Sequence, residues 1–113
     1  MKKVDYTIVF VGDMKRSIEF YRDVLGFALK YESPGWTEFA TEGATLALHP
    51  AGETPAGTCL PGLVVENLDD FHRAMQAKGV KCPQPPKLQD FGGRLALYAD
   101  PDGLILSVAE APK

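Results

Sequence analysis

One short pattern occurs twice in this chain. Val11-Gly12-Asp13-Met14 is echoed by Val65-Glu66-Asn67-Leu68, and each copy follows an apolar run and opens a helical periodicity. An internal repeat constrains a chain more than any single motif, because each copy must be one supersecondary unit. In the first copy, Tyr6-Thr7-Ile8-Val9-Phe10-Val11 is rich in β-branched and aromatic residues and reads as a strand. Asp13 suits an N-cap, since its carboxylate accepts a backbone N–H that the first turn leaves unpaired. Ile18, Tyr21, Val24 and Leu25 then recur at helical spacing, and Gly26 supplies the left-handed residue that ends the helix. In the second copy Asn67 is the cap, and Asp69 and Asp70 favour the positive end of the helix. Phe71, Ala74, Met75 and Lys78 follow, and Gly79 closes it.

Each helix is followed by strand candidates. The first copy offers Phe27 to Glu32, Trp36 to Thr41 and Ala44 to His49; the second offers Val80 to Cys82, Arg94 to Ala99 and Leu104 to Ala109. Glu42-Gly43 and Asp102-Gly103 mark hairpin turns. Superposing Gly43 on Gly103 also matches Thr45-Leu46-Ala47-Leu48 with Ile105-Leu106-Ser107-Val108. The pattern predicts an α+β fold of two βαβββ modules in a single domain, residues 1–50 and 57–113. Residues 51–56, rich in Pro and Gly, read as the linker, and Pro83-Gln84-Pro85-Pro86 as a stiff loop. Alternation along the strands places Val9, Phe39, Leu46 and Leu48 between sheet and first helix.

Composition narrows the class of function. With 113 residues, 45% apolar, 24% charged and a net charge of −3, the chain reads as one globular domain rather than a disordered segment. No apolar run approaches the ~18 residues of a membrane span, and neither membrane nor nucleic acid is expected as a partner, the isoelectric point being about 5.3. Met1-Lys2-Lys3-Val4-Asp5 meets an acidic residue before any long apolar stretch, so no secretory signal is expected. Cys59 and Cys82 lie far apart in no CxxC spacing, which predicts plain thiols and a cytoplasmic protein.

Val11-x-Asp13-Met14-x-x-Ser17-x-x-Phe20-Tyr21-x-x-Val24-Leu25-Gly26-Phe27 resembles the opening signature of the vicinal oxygen chelate superfamily, the glyoxalase, bleomycin-resistance and extradiol-dioxygenase group. Gly92-Gly93-Arg94 and Asp100-Pro101-Asp102-Gly103 resemble its closing signature. The resemblance implies two modules whose mixed sheets curl around a shared cavity, in a homodimer. It also implies metal ligands on the first and last strands of each module. The corresponding positions here are Tyr6, Ala47, Leu60 and Ser107. Ala and Leu have no lone pair to offer, so neither metal nor cofactor is expected.

Counting by alternation from the helix-facing residues puts Tyr6, Trp36, Glu38, His49, Arg94, Tyr98 and Ser107 on the cavity side, as candidate ligand-binding residues. An aromatic hollow with few polar groups suits a small molecule. The resulting expectation is metal-free capture of an aromatic or cationic ligand, as in the bleomycin-resistance branch. The alternative is a lyase or dioxygenase-like enzyme of the same superfamily, with an unrecognised metal or with Glu38 or His49 as general base. A third reading is an accessory domain that acts by dimerisation. The plainer alternatives are that Glu38 and Arg94 pair with each other, that His72 lies on the surface and that Asp100 and Asp102 shape their turn.

Overall fold

Asp13 and Asn67 each end a strand and start a helix by the same device. Both sit in extended backbone, and each side-chain oxygen accepts the backbone N–H three residues on, Arg16 to Asp13 and Asp70 to Asn67, both at 3.0 Å. The computed structural model describes residues 3–89 and 92–112, so Met1-Lys2, where the N-terminal reading starts, lies outside the described residues. Strand β1 (Lys3–Val11) leads into α1 (Met14–Glu19), then β2 (Ala28–Tyr31), β3 (Thr37–Ala40) and β4 (Thr45–Pro50). Strand β5 (Cys59–Val65) leads into α2 (Leu68–Ala77), then β6 (Gln84–Leu88), β7 (Arg94–Ala99) and β8 (Ile105–Glu110). The fold is α+β, two βαβββ modules as the repeat predicts.

The chain divides into two compact units, Asp5–Leu60 and the chain from Pro61 onward with the start of β1. In the first module the strand order is β2-β3-β4-β1, with β1 and β4 parallel and the rest antiparallel. In the second it is β5-β8-β7-β6, with β5 and β8 parallel. Each sheet buries one face against its own helix. Val11, Ile18, Phe39 and Leu48 form the first core, flanked by Val9, Met14, Tyr21, Phe27 and Leu46, as alternation predicts. Val65, Leu68, Ala96, Tyr98 and Val108 form the second, flanked by Leu63, Phe71, Met75, Val80 and Cys82. Leu68 is fully buried and anchors α2.

Three elements depart from the sequence expectations. The first helix widens after Glu19 into a π turn over Phe20–Val24, where the Leu25 N–H reaches back five residues to the Phe20 carbonyl at 3.0 Å. The wider turn breaks the 3.6-residue period, so Val24 (70% exposed) and Leu25 (50%) face solvent instead of the core. Gly26, at φ 82°, ends the segment as expected. Second, the predicted strand at Val80–Cys82 is absent, and the predicted Pro-rich loop is strand β6. As the outermost strand of its module, β6 tolerates prolines that have no N–H to give, and its pairing slips between Gln84 and Lys87, where Pro85 and Pro86 lie.

The third departure reverses a strand. Ala96 and Tyr98 belong to the core under α2, not to the opposite face. Thr37 pairs with Leu48, eleven residues on; Ala96 pairs with the equivalent Val108, twelve residues on. The second hairpin therefore carries one extra residue in its turn. Asp100 holds that turn, its Oδ1 accepting the N–H groups of Asp102 (2.9 Å) and Leu104 (2.8 Å). One inserted residue moves every side chain of β7 to the other face of its sheet.

Candidate functional site

In the first module, the sheet face away from α1 collects aromatic and polar side chains. Ser33 fixes the entry to β3: its hydroxyl donates to the Trp36 carbonyl at 2.8 Å and accepts the Trp36 N–H at 3.0 Å. Trp36 and Glu38, two residues apart on an extended chain, then project to the same side. The indole Nε1–H donates to Glu38 Oε2 at 2.7 Å, a charge-assisted bond that fixes both side chains. The Lys30 ammonium lies 3.7 Å from Glu38 Oε1, and the Glu38 side chain keeps 22% of its surface exposed.

His49 stands near the end of β4, exposed, with its ring centroid 6.3 Å from that of Trp36 in an edge-on arrangement and 5.1 Å from Phe10. His49 Nδ1 is 2.7 Å from the Pro50 carbonyl oxygen. A carbonyl only accepts, so in the neutral ring Nδ1 carries the hydrogen and Nε2 presents a lone pair. Tyr6 is buried on β1 with Ile8, opposite the residues that face α1. The first module thus brings together Trp36, Glu38 and His49, with Tyr6 on the same face.

The second module places its three candidates differently. Ser107 is fully buried, pairs in register with Leu97 and lies on the face away from α2. Arg94 and Tyr98 lie on the helix side, which corrects the expectation that they face a cavity. Arg94 donates to both carboxylate oxygens of Asp69 on α2, at 2.6 and 3.3 Å, and its Nη1 is 3.5 Å from Glu110 on β8. The expected Glu38–Arg94 pair is therefore replaced by two separate sets of partners. The hydrogen bond from Arg94 holds the Asp69 carboxyl below its ordinary range. Tyr98 is 2% exposed, its ring 5.5 Å from Phe71 and its hydroxyl hydrogen-bonded to His72 Nδ1 at 2.8 Å. Burial pushes the Tyr98 phenol up to about 12.

His72 is half-buried rather than on the surface. The signal for this was present in the sequence: Leu68, His72 and Met75 share one helical stripe, so His72 falls on the apolar side of α2. Lys30 and Ser33, which position the Trp36–Glu38 pair, carried no comparable signal. Cys59 and Cys82 are free thiols, and burial raises the Cys82 thiol above its ordinary value.

The residues present do not fit a divalent metal of the kind the resemblance implies. The four corresponding side chains are Tyr6, Ala47, Leu60 and Ser107, and three of them, Ala47, Leu60 and Ser107, are a methyl, an isobutyl and a neutral hydroxyl. Among the described residues no three His, Cys, Asp or Glu side chains come close enough to hold an ion. Also among the described residues, no helix is long and apolar enough to cross a membrane.

Comparison with known proteins gives a consistent picture. A bleomycin resistance protein of Klebsiella pneumoniae is 26% identical over 107 residues, covering 87% of this chain and 84% of its own. An NAD-dependent benzaldehyde dehydrogenase structure from Legionella pneumophila superposes with a TM-score of 0.76 at 25% identity, over 95% of this chain and 98% of the other. The methylmalonyl-CoA epimerase of Mycobacterium tuberculosis does so with a TM-score of 0.78 at 21% identity, over 96% and 87%. These proteins are named for different activities, so shared shape carries the fold and not the reaction. The profile of the Glyoxalase/Bleomycin resistance protein/Dioxygenase superfamily matches residues 3–108. The chain belongs to that superfamily.

Proposed function

We propose that this protein captures a planar, cationic aromatic molecule on the first-module face around Trp36, Glu38 and His49, without metal and without turning it over. The observation that carries the reading is the partly exposed carboxylate of Glu38 fixed by the Trp36 indole N–H at 2.7 Å. A carboxylate set among aromatic rings offers a cation charge and π faces together. His49 and Phe10 supply the exposed and half-buried rings beside it. The likeness to a bleomycin resistance protein supports a binding role.

Trp36 is the only tryptophan, so its fluorescence reports this face alone. Titration with N-methylacridinium is expected to quench it saturably, and uncharged acridine to bind at least about fivefold more weakly. Glu38→Gln should remove that difference. Equal affinity for the two probes, or no saturable quenching, would show that the face is not a cation site.

A second reading rests on His49. With Nδ1 bonded to Pro50, its Nε2 lone pair is available to take a proton from a bound molecule. Incubation of a captured ligand in deuterium oxide, read by mass spectrometry, distinguishes the two: uptake of deuterium lost in His49→Gln marks an enzyme.

A further inference from the structure

The opposite side of the first module carries a recess. It lies between α1 with its π turn and the segment Ala51–Gly57, on the helix side of β1, and has a volume of about 430 Å³. That is within the roughly 300–1,000 Å³ of small-molecule clefts. The segment forms a fixed wall: Ala51 N–H bonds the Val11 carbonyl, Gly57 N–H the Phe10 carbonyl and Phe10 N–H the Thr58 carbonyl, all at 2.8–2.9 Å. Gly12 and Ala56 also line it, and a Cβ at Gly12 would meet the Ala56 Cβ at an ordinary 3.8 Å.

Two features of this recess call for a ligand. Phe20 is 48% exposed and stands edge-on to Tyr21 at 5.3 Å, so an aromatic pair forms a wall that the chain leaves open to water. Arg16 and Ser17 also line it, and the Arg16 guanidinium makes no hydrogen bond or ion pair among the described residues. Asp13 and Glu19, each three residues from Arg16, are the nearest carboxylates along the helix; Asp13 uses Oδ1 to cap the Arg16 backbone N–H, and no ion pair joins either carboxylate to the guanidinium. An open apolar wall with one unpaired planar cation at the edge matches a flat apolar body bearing one carboxylate.

We propose that this recess is a second binding site, for an aromatic carboxylate, distinct from the Trp36 face and opposite to it in charge preference. The guanidinium takes the carboxylate, Ser17 donates a further hydrogen bond, and the ring lies against Phe20 and Tyr21.

The test is a nitrogen–proton NMR titration with 2-naphthoate and its uncharged analogue 2-naphthamide. Expected are shifts at Gly12, Ser17 to Tyr21, Ala56 and Gly57, with the acid binding about fivefold or more tightly, an advantage that falls as salt is raised. Arg16→Gln should bring the acid down to the amide. Ala56→Trp, on an exposed residue of the wall, should block both probes while leaving the remaining spectrum in place. No saturable shift up to 10 mM probe, shifts confined to Trp36, Glu38 and His49, or equal affinity of acid and amide each overturns the proposal. The acridinium titration reads the Trp36 face by itself, so a failure of this site and a failure of that face are told apart.

Discussion

Tyr98 gives the sharpest test of which way β7 faces. If it lined a ligand cavity, Tyr98→Ala would weaken binding and leave folding nearly intact. In the core under α2 it should do the opposite. Its side chain is 2% exposed and packed among Leu68, Ala96 and Val108, with Phe71 edge-on at 5.5 Å. Truncating a large buried aromatic to Ala costs roughly 3–5 kcal/mol, the lost transfer energy plus a cavity that the neighbours only partly close. Tyr98→Phe keeps the ring and removes only the bond to His72, so its cost should be about 0.5–1.5 kcal/mol. The phenol adds a pH signature. Its folded value of about 12 lies above the ordinary 10.0, so the folded state holds the proton more tightly. Stability is then full below pH 10 and is progressively lost as pH rises from 10 to about 12. Tyr98→Phe should flatten that decline. Urea unfolding followed by circular dichroism measures the costs, and phenolate absorbance measures the titration. A loss below about 1 kcal/mol in Tyr98→Ala, with the Tyr98 phenol titrating at its ordinary 10.0, would refute the assignment.

Phe39 is fully buried under α1, and Phe39→Ala should cost roughly 3–5 kcal/mol, whereas Val24→Ala, on the solvent side of the π turn, should stay within about 0.5 kcal/mol by the same unfolding assay. Lys30 competes for the Glu38 carboxylate, so Lys30→Met should tighten acridinium binding by about twofold or more in the Trp36 titration; weaker binding would mean that Lys30 helps to hold the ligand. Val24, Leu25, Leu29 and Tyr31 expose a run of apolar surface along the π turn and β2, which fits the expected homodimer; sedimentation at micromolar concentration should give twice the 12.3 kDa chain mass, and a monomer would exclude it.

The repeat, the caps and the alternation were legible because each is local. Asp13 and Asn67 act on N–H groups three residues away, and Val9, Phe39, Leu46 and Leu48 follow the two-residue period of a strand from any fixed point. What failed was counting across a turn. The extra residue between Ala96 and Val108 exchanged Arg94 and Tyr98 for Leu95 and Leu97 on the face away from α2, and no propensity records how long a turn becomes once two strands have chosen their register. The π turn that exposes Val24 and the prolines carried by β6 are likewise decided by position, the one by a helix-end geometry and the other by the unshared edge of a sheet. The Trp36–Glu38–His49 face lies between these cases. The strand period puts Trp36 and Glu38 side by side, but the Lys30 ammonium near Glu38 and the His49 ring beside Trp36 come from neighbouring strands, and only the folded sheet brings them together.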